Sequence, residues 1–116
     1  VDTPLVVTGG FRSSKAMQDA LNSGATDFVG VARTTCVDPD FPNKLIADEN
    51  HQQQLKVLTT GKPAIDKMAM LEITWYEAQL ARMANGKKPK PNLSEWGVFF
   101  GTLFNAGIYA FRKRRA

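Results

Sequence analysis

The pattern of apolar and polar positions divides the chain into two halves with different periods. Residues 4–8, Pro-Leu-Val-Val-Thr, are a short continuous apolar and β-branched run. Such a run predicts a strand buried on both faces. Gly9-Gly10 stops it. Ser13 or Ser14 then offers an N-cap, and Ala16, Met17, Ala20 and Leu21 recur at helical spacing. Asn22-Ser23-Gly24 ends that helix, with Gly24 placed to take the left-handed conformation just past its end. The pattern then repeats. Residues 27–32, Asp-Phe-Val-Gly-Val-Ala, predict a second buried strand that ends at Arg33. Asp38-Pro39-Asp40 is a turn signal, and Phe41-Pro42-Asn43-Lys44-Leu45-Ile46 predicts a short helix. Strand, helix, strand, helix with short connections is the order of parallel α/β folds. Two parallel strands do not make a domain, because such sheets need several strands and cover on both faces. We therefore expect most of the sheet to lie outside this chain.

The second half is helical. Residues 48–65 are polar, and Gly61-Lys62-Pro63 reads as a turn. His51 has no Cys, Asp or Glu spaced around it as ligands, so a surface position is expected. Residues 66–84 predict one helix, with Asp66 as its N-cap. Met68, Leu71, Trp75 and Ala78 fall on one apolar stripe, and Ile73, Tyr76, Leu80 and Met83 on another. Glu77 and Arg82 keep a polar side. Asn85-Gly86 ends this helix, and Lys87 to Pro91 is a stiff basic linker. Ser94-Glu95 opens a last helix. Trp96, Phe99, Phe100, Leu103, Phe104, Ile108 and Phe111 form its broad apolar face, and Gly97, Gly101, Thr102, Asn105 and Ala106 its small, weakly polar side. Its apolar stretch of 16 residues is shorter than the ~20 a membrane-spanning helix needs.

Charge and composition narrow the partners. The net charge is +4, but Lys87, Lys88, Lys90 and Arg112 to Arg115 supply seven of the fifteen basic residues against eleven acidic ones. The remainder is net acidic, which gives no support for a nucleic-acid-binding face. The single Cys36 excludes an internal disulfide framework and fits a reducing, cytoplasmic compartment; its simplest role is a small buried hydrophobe. The chain opens Val-Asp-Thr-Pro, with no Met and no signal-peptide pattern, so we expect a piece of something longer.

The strongest chemical signal is the pair of strand ends. In a (β/α)8 barrel, ligands sit at the C-terminal ends of the strands, and a phosphate is often held by the loops after the last two. Gly9-Gly10 directly follows one strand and Ala32-Arg33 the next. Glycines let backbone N–H groups approach an anion closely, and an arginine presents a fork of donors that matches phosphate oxygens. Gly9, Gly10, Ala32 and Arg33 are therefore the candidate site for one phosphate group.

Pro4 to Arg12, Ser23-Gly24-Ala25, Asp27 to Arg33 and Asp38-Pro39-Asp40-Phe41-Pro42-Asn43-Lys44-Leu45 resemble the last two βα units of the Old Yellow Enzyme family of NAD(P)H:flavin oxidoreductases. Trp75-Tyr76, Gln79, Arg82 and Gly86 are similar to the C-terminal extension of some members. The resemblance implies that residues 1–47 are the last two βα units of a TIM barrel. Residues 48–65 would be a polar connection, and residues 66–116 a helical extension with a basic linker and tail. It implies FMN as cofactor and NAD(P)H as reductant, with hydride passing through the flavin to an electron-poor alkene. Gly9 and Gly10 match the backbone that holds the FMN phosphate after the seventh strand; Ala32 and Arg33 match the second grip. One departure follows the arginine, where the family often has Pro and then an apolar residue, and this chain has Thr34-Thr35. The substrate-orienting His/Asn or His/His pair and the donor Tyr belong to earlier strands, and Tyr76 and Tyr109 do not match the donor, so no catalytic residue is assigned.

Two alternatives stand beside this expectation, and the last helix has three readings of its own. The chain could be a non-catalytic interaction module, or part of another phosphate-binding barrel. Residues 94–116 could pack on the missing barrel, lie peripherally on an anionic membrane, or pair through Gly97-x-x-x-Gly101. Unpaired strand edges predict self-association of the isolated piece.

Overall fold

The computed structural model describes residues 2–111, with side chains up to residue 107. The basic run Arg112 to Arg115 and the side chains of Ile108, Tyr109 and Phe111 lie outside the described residues. The elements are β1 (Val6–Thr8), α1 (Ser14–Asn22), β2 (Phe28–Gly30), α2 (Arg33–Val37), α3 (Phe41–Ala47), α4 (Pro63–Met68), α5 (Leu71–Ala84) and α6 (Glu95–Phe111). They fall into two compact units, residues 1–55 and 56–116.

The first unit is α/β. Its two strands pair in parallel, with Val6 opposite Phe28, Val7 opposite Val29 and Thr8 opposite Gly30. Thr26 and Asp27 fix that register from below. The buried Thr26 hydroxyl donates to the carbonyls of Leu5 (2.9 Å) and Phe28 (2.8 Å). The Leu5 N–H donates to Asp27 Oδ2 at 2.8 Å. Ser13 caps α1 by accepting from the Ala16 N–H at 3.3 Å, and Gly24, at φ +69°, takes the left-handed position past the helix end as its pattern predicted. The polar segment after α3 turns back onto this unit. Gln52 bridges Ser13, and the Gln53 N–H donates to the Arg12 carbonyl at 2.8 Å.

Two expectations are corrected here. The strands are not buried on both faces: Leu5, Val6 and Phe28 are each more than half exposed. Two strands with α1 against β2 cannot wrap an apolar sheet. His51 is half-buried rather than on the surface; its ring centroid lies 5.9 Å from that of the fully buried Phe41. Cys36 is buried, as expected of a small hydrophobe, and burial pushes its thiol above the ordinary pKa.

The second unit is helical, and the single helix expected over 66–84 is two. Pro63 sets the start of α4, where its missing N–H costs nothing. Asp66 is therefore inside the first turn and not at the cap. Its carboxylate reaches back to accept from the Thr59 hydroxyl (2.7 Å) and from the Thr60 hydroxyl and N–H (2.9 Å for the latter). At Met70 the backbone turns left-handed (φ 44°, ψ 52°), and α5 begins afresh. Helical periodicity carries straight through the two-residue break at Ala69-Met70, so the sequence could not reveal it. Met68, Ile73 and Leu80, placed on apolar stripes by their spacing, are at least half exposed.

The core of this unit is Leu71, Trp75 and Gln79 of α5 with Val98 of α6. Gln79 is 0 % exposed, and its amide is paired at both ends: Nε2 donates to the Lys90 carbonyl, and Oε1 accepts from the Lys90 N–H, both at 2.8 Å. Trp75 Nε1 donates to the Leu93 carbonyl at 3.0 Å, and Arg82 Nε to the Lys88 carbonyl at 3.3 Å. Gly86 (φ +70°) closes α5 with two bonds, Gly86 N–H to the Met83 carbonyl (2.9 Å) and Lys87 N–H to the Arg82 carbonyl (3.0 Å). The segment after α5 is thus strapped along that helix by its side chains.

Helix α6 is capped by Ser94, whose Oγ accepts from the Gly97 N–H at 3.3 Å. Glu95 in its first turn pairs with Lys56 at 2.7 Å. The helix turns its small side inward: Gly97, Gly101, Thr102, Asn105 and Ala106 face Thr74, Ala78 and Ala81 of α5 across an open cleft of about 700 Å³. Trp96, Phe100, Leu103 and Phe104 are exposed, with Trp96 and Phe100 stacked at 5.9 Å. Among the described residues, no helix is long and apolar enough to cross a membrane.

Two predictions follow from this packing. Gln79→Met keeps the bulk of the side chain but leaves the Lys90 N–H without its partner, while the Lys90 carbonyl keeps only the Leu93 N–H, and should lower stability by about 1–3 kcal/mol in urea unfolding. The second concerns acid. The Thr60 hydroxyl, then the Thr59 hydroxyl and the Thr60 N–H, hold Asp66 below its ordinary pKa. Burial raises Glu95, but the Lys56 hydrogen bond, a backbone hydrogen bond at Glu95 and the Lys56 charge together outweigh it and leave Glu95 lowered as well. A carboxylate depressed on folding contributes stability above its unfolded pKa and loses it as pH falls through the folded value. The melting temperature of the second unit should hold steady above about pH 5 and fall progressively below about pH 4; circular dichroism melts across pH 2–7 check this.

Candidate functional site

Because β1 and β2 run parallel and in register, their C-terminal ends emerge side by side. Thr8 sits opposite Gly30, so Gly9-Gly10 leaves one strand where Val31-Ala32-Arg33 leaves the other. Gly30 has a steric reason at this spot, since a Cβ there would overlap Oγ1 of Thr8. A side chain at that position would force the Thr8 side chain to shift.

The four residues singled out by the sequence, Gly9, Gly10, Ala32 and Arg33, line one hollow of about 60 Å³. That volume suits a single small anion and not a ring system. Gly9 (φ +128°) and Gly10 (φ +75°) both hold conformations that L side chains rarely adopt, and a Cβ on either would meet open space. The constraint at these two positions is backbone conformation rather than crowding. They leave bare backbone along one wall.

The hollow also takes in residues the sequence reading had not assigned. Arg12 lines it beside Arg33, so two guanidinium-bearing residues and no carboxylate border it among the described residues. Leu55 arrives from the polar segment that folds back after α3. Thr34 lines it too, 2 % exposed, with its Oγ1 buried and finding no hydrogen-bond partner within the protein. A Thr after the arginine was visible in the sequence, but nothing in its spacing signalled burial. Two positive side chains, bare glycine backbone and an unsatisfied buried hydroxyl form a donor set suited to a phosphate or similar oxyanion. No group of His, Cys, Asp or Glu able to hold a metal ion occurs among the described residues.

Comparison with known proteins gives the class. The chain is 33% identical over 92 residues to the NADH-dependent flavin oxidoreductase iccE of Talaromyces variabilis, a match covering 70% of this chain and 22% of that protein. It is 35% identical over 65 residues to the NADH-dependent flavin oxidoreductase iliE of Hypocrea jecorina, covering 56% of this chain and 16% of that protein. A 43-residue stretch is 42% identical to the iliE protein of a Neonectria species. The resemblance to flavin oxidoreductases of the Old Yellow Enzyme family, read from residues 4–46 and 70–96, is borne out by these matches. The chain spans about a fifth of the length of the first two relatives. No family model matches it, and no solved structure does.

Proposed function

We propose that this chain is the part of an NADH-dependent flavin oxidoreductase that holds the phosphate of FMN, with β1–α1 and β2–α2 as the last two βα units of a (β/α)8 barrel. The observation that carries this reading is the convergence of Gly9, Gly10, Ala32 and Arg33 on one hollow at the shared C-terminal end of two parallel strands. That is where phosphate sites of such barrels form. The similarity to NADH-dependent flavin oxidoreductases supports flavin as the group whose phosphate is held.

In this role the chain's residues bind and orient. The glycine backbone and the Arg33 guanidinium neutralise and fix the phosphate, which anchors the rest of the cofactor. Bound FMN would supply hydride transfer from NADH to an electron-poor alkene. The groups that orient that substrate and donate its proton would come from other strands, so the chain alone is inactive. The half-exposed apolar faces of Leu5, Val6 and Phe28 suit cover by those strands. A non-catalytic interaction module would have no use for a cationic hollow at the strand ends, which favours the oxidoreductase reading.

Titration with FMN, with riboflavin as the phosphate-free control, tests the proposal. FMN should bind more tightly than riboflavin. Arg33→Ala should weaken FMN by roughly one to two decades, the loss of a charge-assisted bond of about 1.5–3 kcal/mol, and leave riboflavin unchanged. Equal binding of the two flavins, unmoved by Arg33→Ala, would sink the assignment. In light scattering the isolated chain should run as oligomers joined through its open sheet; a sharp monomer peak would count against a sheet that continues beyond β1 and β2.

A further inference from the structure

The hollow holds a polar group that neither the family pattern nor the fold explains. Thr34 is 2 % exposed, yet its hydroxyl finds no partner within the protein. Its neighbour shows what a threonine in this short helix ordinarily does: Thr35 Oγ1 donates back to the Ala32 carbonyl at 2.8 Å. The hydroxyl of the other threonine buried in this unit, Thr26, is shared between two backbone carbonyls. A buried hydroxyl left without a partner destabilises a fold, and buried polar groups in native structures are nearly always satisfied. Thr34 also lines the same hollow as Gly10 and Arg33.

We propose that the Thr34 hydroxyl is a third ligand of the bound phosphate, donating a hydrogen bond to one of its oxygens alongside the glycine backbone and Arg33. The inference rests on the phosphate-holding role proposed above and adds to it a neutral, directional donor. Arg33 then supplies charge, and Thr34 supplies geometry from a side chain already immobilised by burial, so little entropy is lost when it engages. A phosphate oxygen would give this hydroxyl the partner that the fold itself does not supply.

This double character sets the test. Thr34→Val removes the hydroxyl and keeps the β-branched shape; Thr34→Ser keeps the hydroxyl and loses a methyl. FMN, riboflavin and inorganic phosphate are titrated against the unsubstituted chain, both variants and Arg33→Ala, and each ligand-free protein is melted. Thr34→Val should lose about tenfold in FMN affinity and leave riboflavin unchanged, with inorganic phosphate following FMN. Thr34→Ser should stay within about threefold of the unsubstituted chain for FMN. Without ligand, Thr34→Val should melt no lower than the unsubstituted chain, because it removes an unpaired buried polar group. A Thr34→Val protein that keeps its preference for FMN while Arg33→Ala loses it would overturn this inference alone. So would a drop in its ligand-free melting temperature, which would place the hydroxyl's bond inside the fold. If the unsubstituted chain has no preference for FMN over riboflavin, both this inference and the phosphate reading fall.

Discussion

The parallel register of β1 on β2 is the constraint from which the site follows. Only with Thr8 opposite Gly30 do Gly9-Gly10 and Ala32-Arg33 leave the sheet at the same level. Three strand residues on each side cannot hold that register by themselves, since short strands slip readily where no covered face specifies them. The register is instead pinned at the far end of the strands. Thr26 spans the Leu5 and Phe28 carbonyls, and Asp27 takes the Leu5 N–H. A slip would break those polar contacts at once and separate the glycine loop from the arginine. At the near end Gly30 admits the Thr8 side chain across the pair, so both ends of the ladder depend on side chains of one particular size.

The second unit is organised by polar side chains used as backbone substitutes. Gln79 presents its amide to Lys90 as a peptide group would, donating and accepting at once, in a place where it is wholly buried. Trp75 and Arg82 repeat the device on Leu93 and Lys88. These three residues are among those by which the extension resembled the family's C-terminal region. Their shared task is visible in the fold: they hold an irregular, lysine-rich segment against α5 by its carbonyls. Helix α6 follows from that strap, presenting Gly97 and Gly101 to α5 and leaving its aromatic face outward.

The two arginine-bearing loops and the buried Thr34 meet at one hollow. Arg12 and Arg33 border one hollow with two glycines at positive φ, and the Thr34 hydroxyl is buried there without a partner within the protein. A buried polar group without a partner is a local cost of the kind that binding sites commonly carry. Stability elsewhere in the unit comes from Phe41 and Cys36, buried away from the hollow, so the site can carry strain without unravelling the fold.

Local chemistry made much of this legible from the chain alone. Ser13 and Gly24 bracket α1, Gly86 closes α5 and Ser94 opens α6, because caps and left-handed turns depend on a single residue's side chain or its absence. The order strand–helix–strand and the nearness of Gly9-Gly10 to Ala32-Arg33 were likewise readable, since two successive buried-strand patterns separated by one helix leave few arrangements. What periodicity could not carry was decided by tertiary contact. It could not show that Met70 breaks a helix, that α6 packs by its small side, that His51 leans on Phe41, or that Thr34 is buried at the hollow. Each of those depends on which surface a neighbouring element covers. A one-dimensional pattern records the apolar and polar positions of an element, but the identity of the side that finds a partner is set only when the chain folds back on itself.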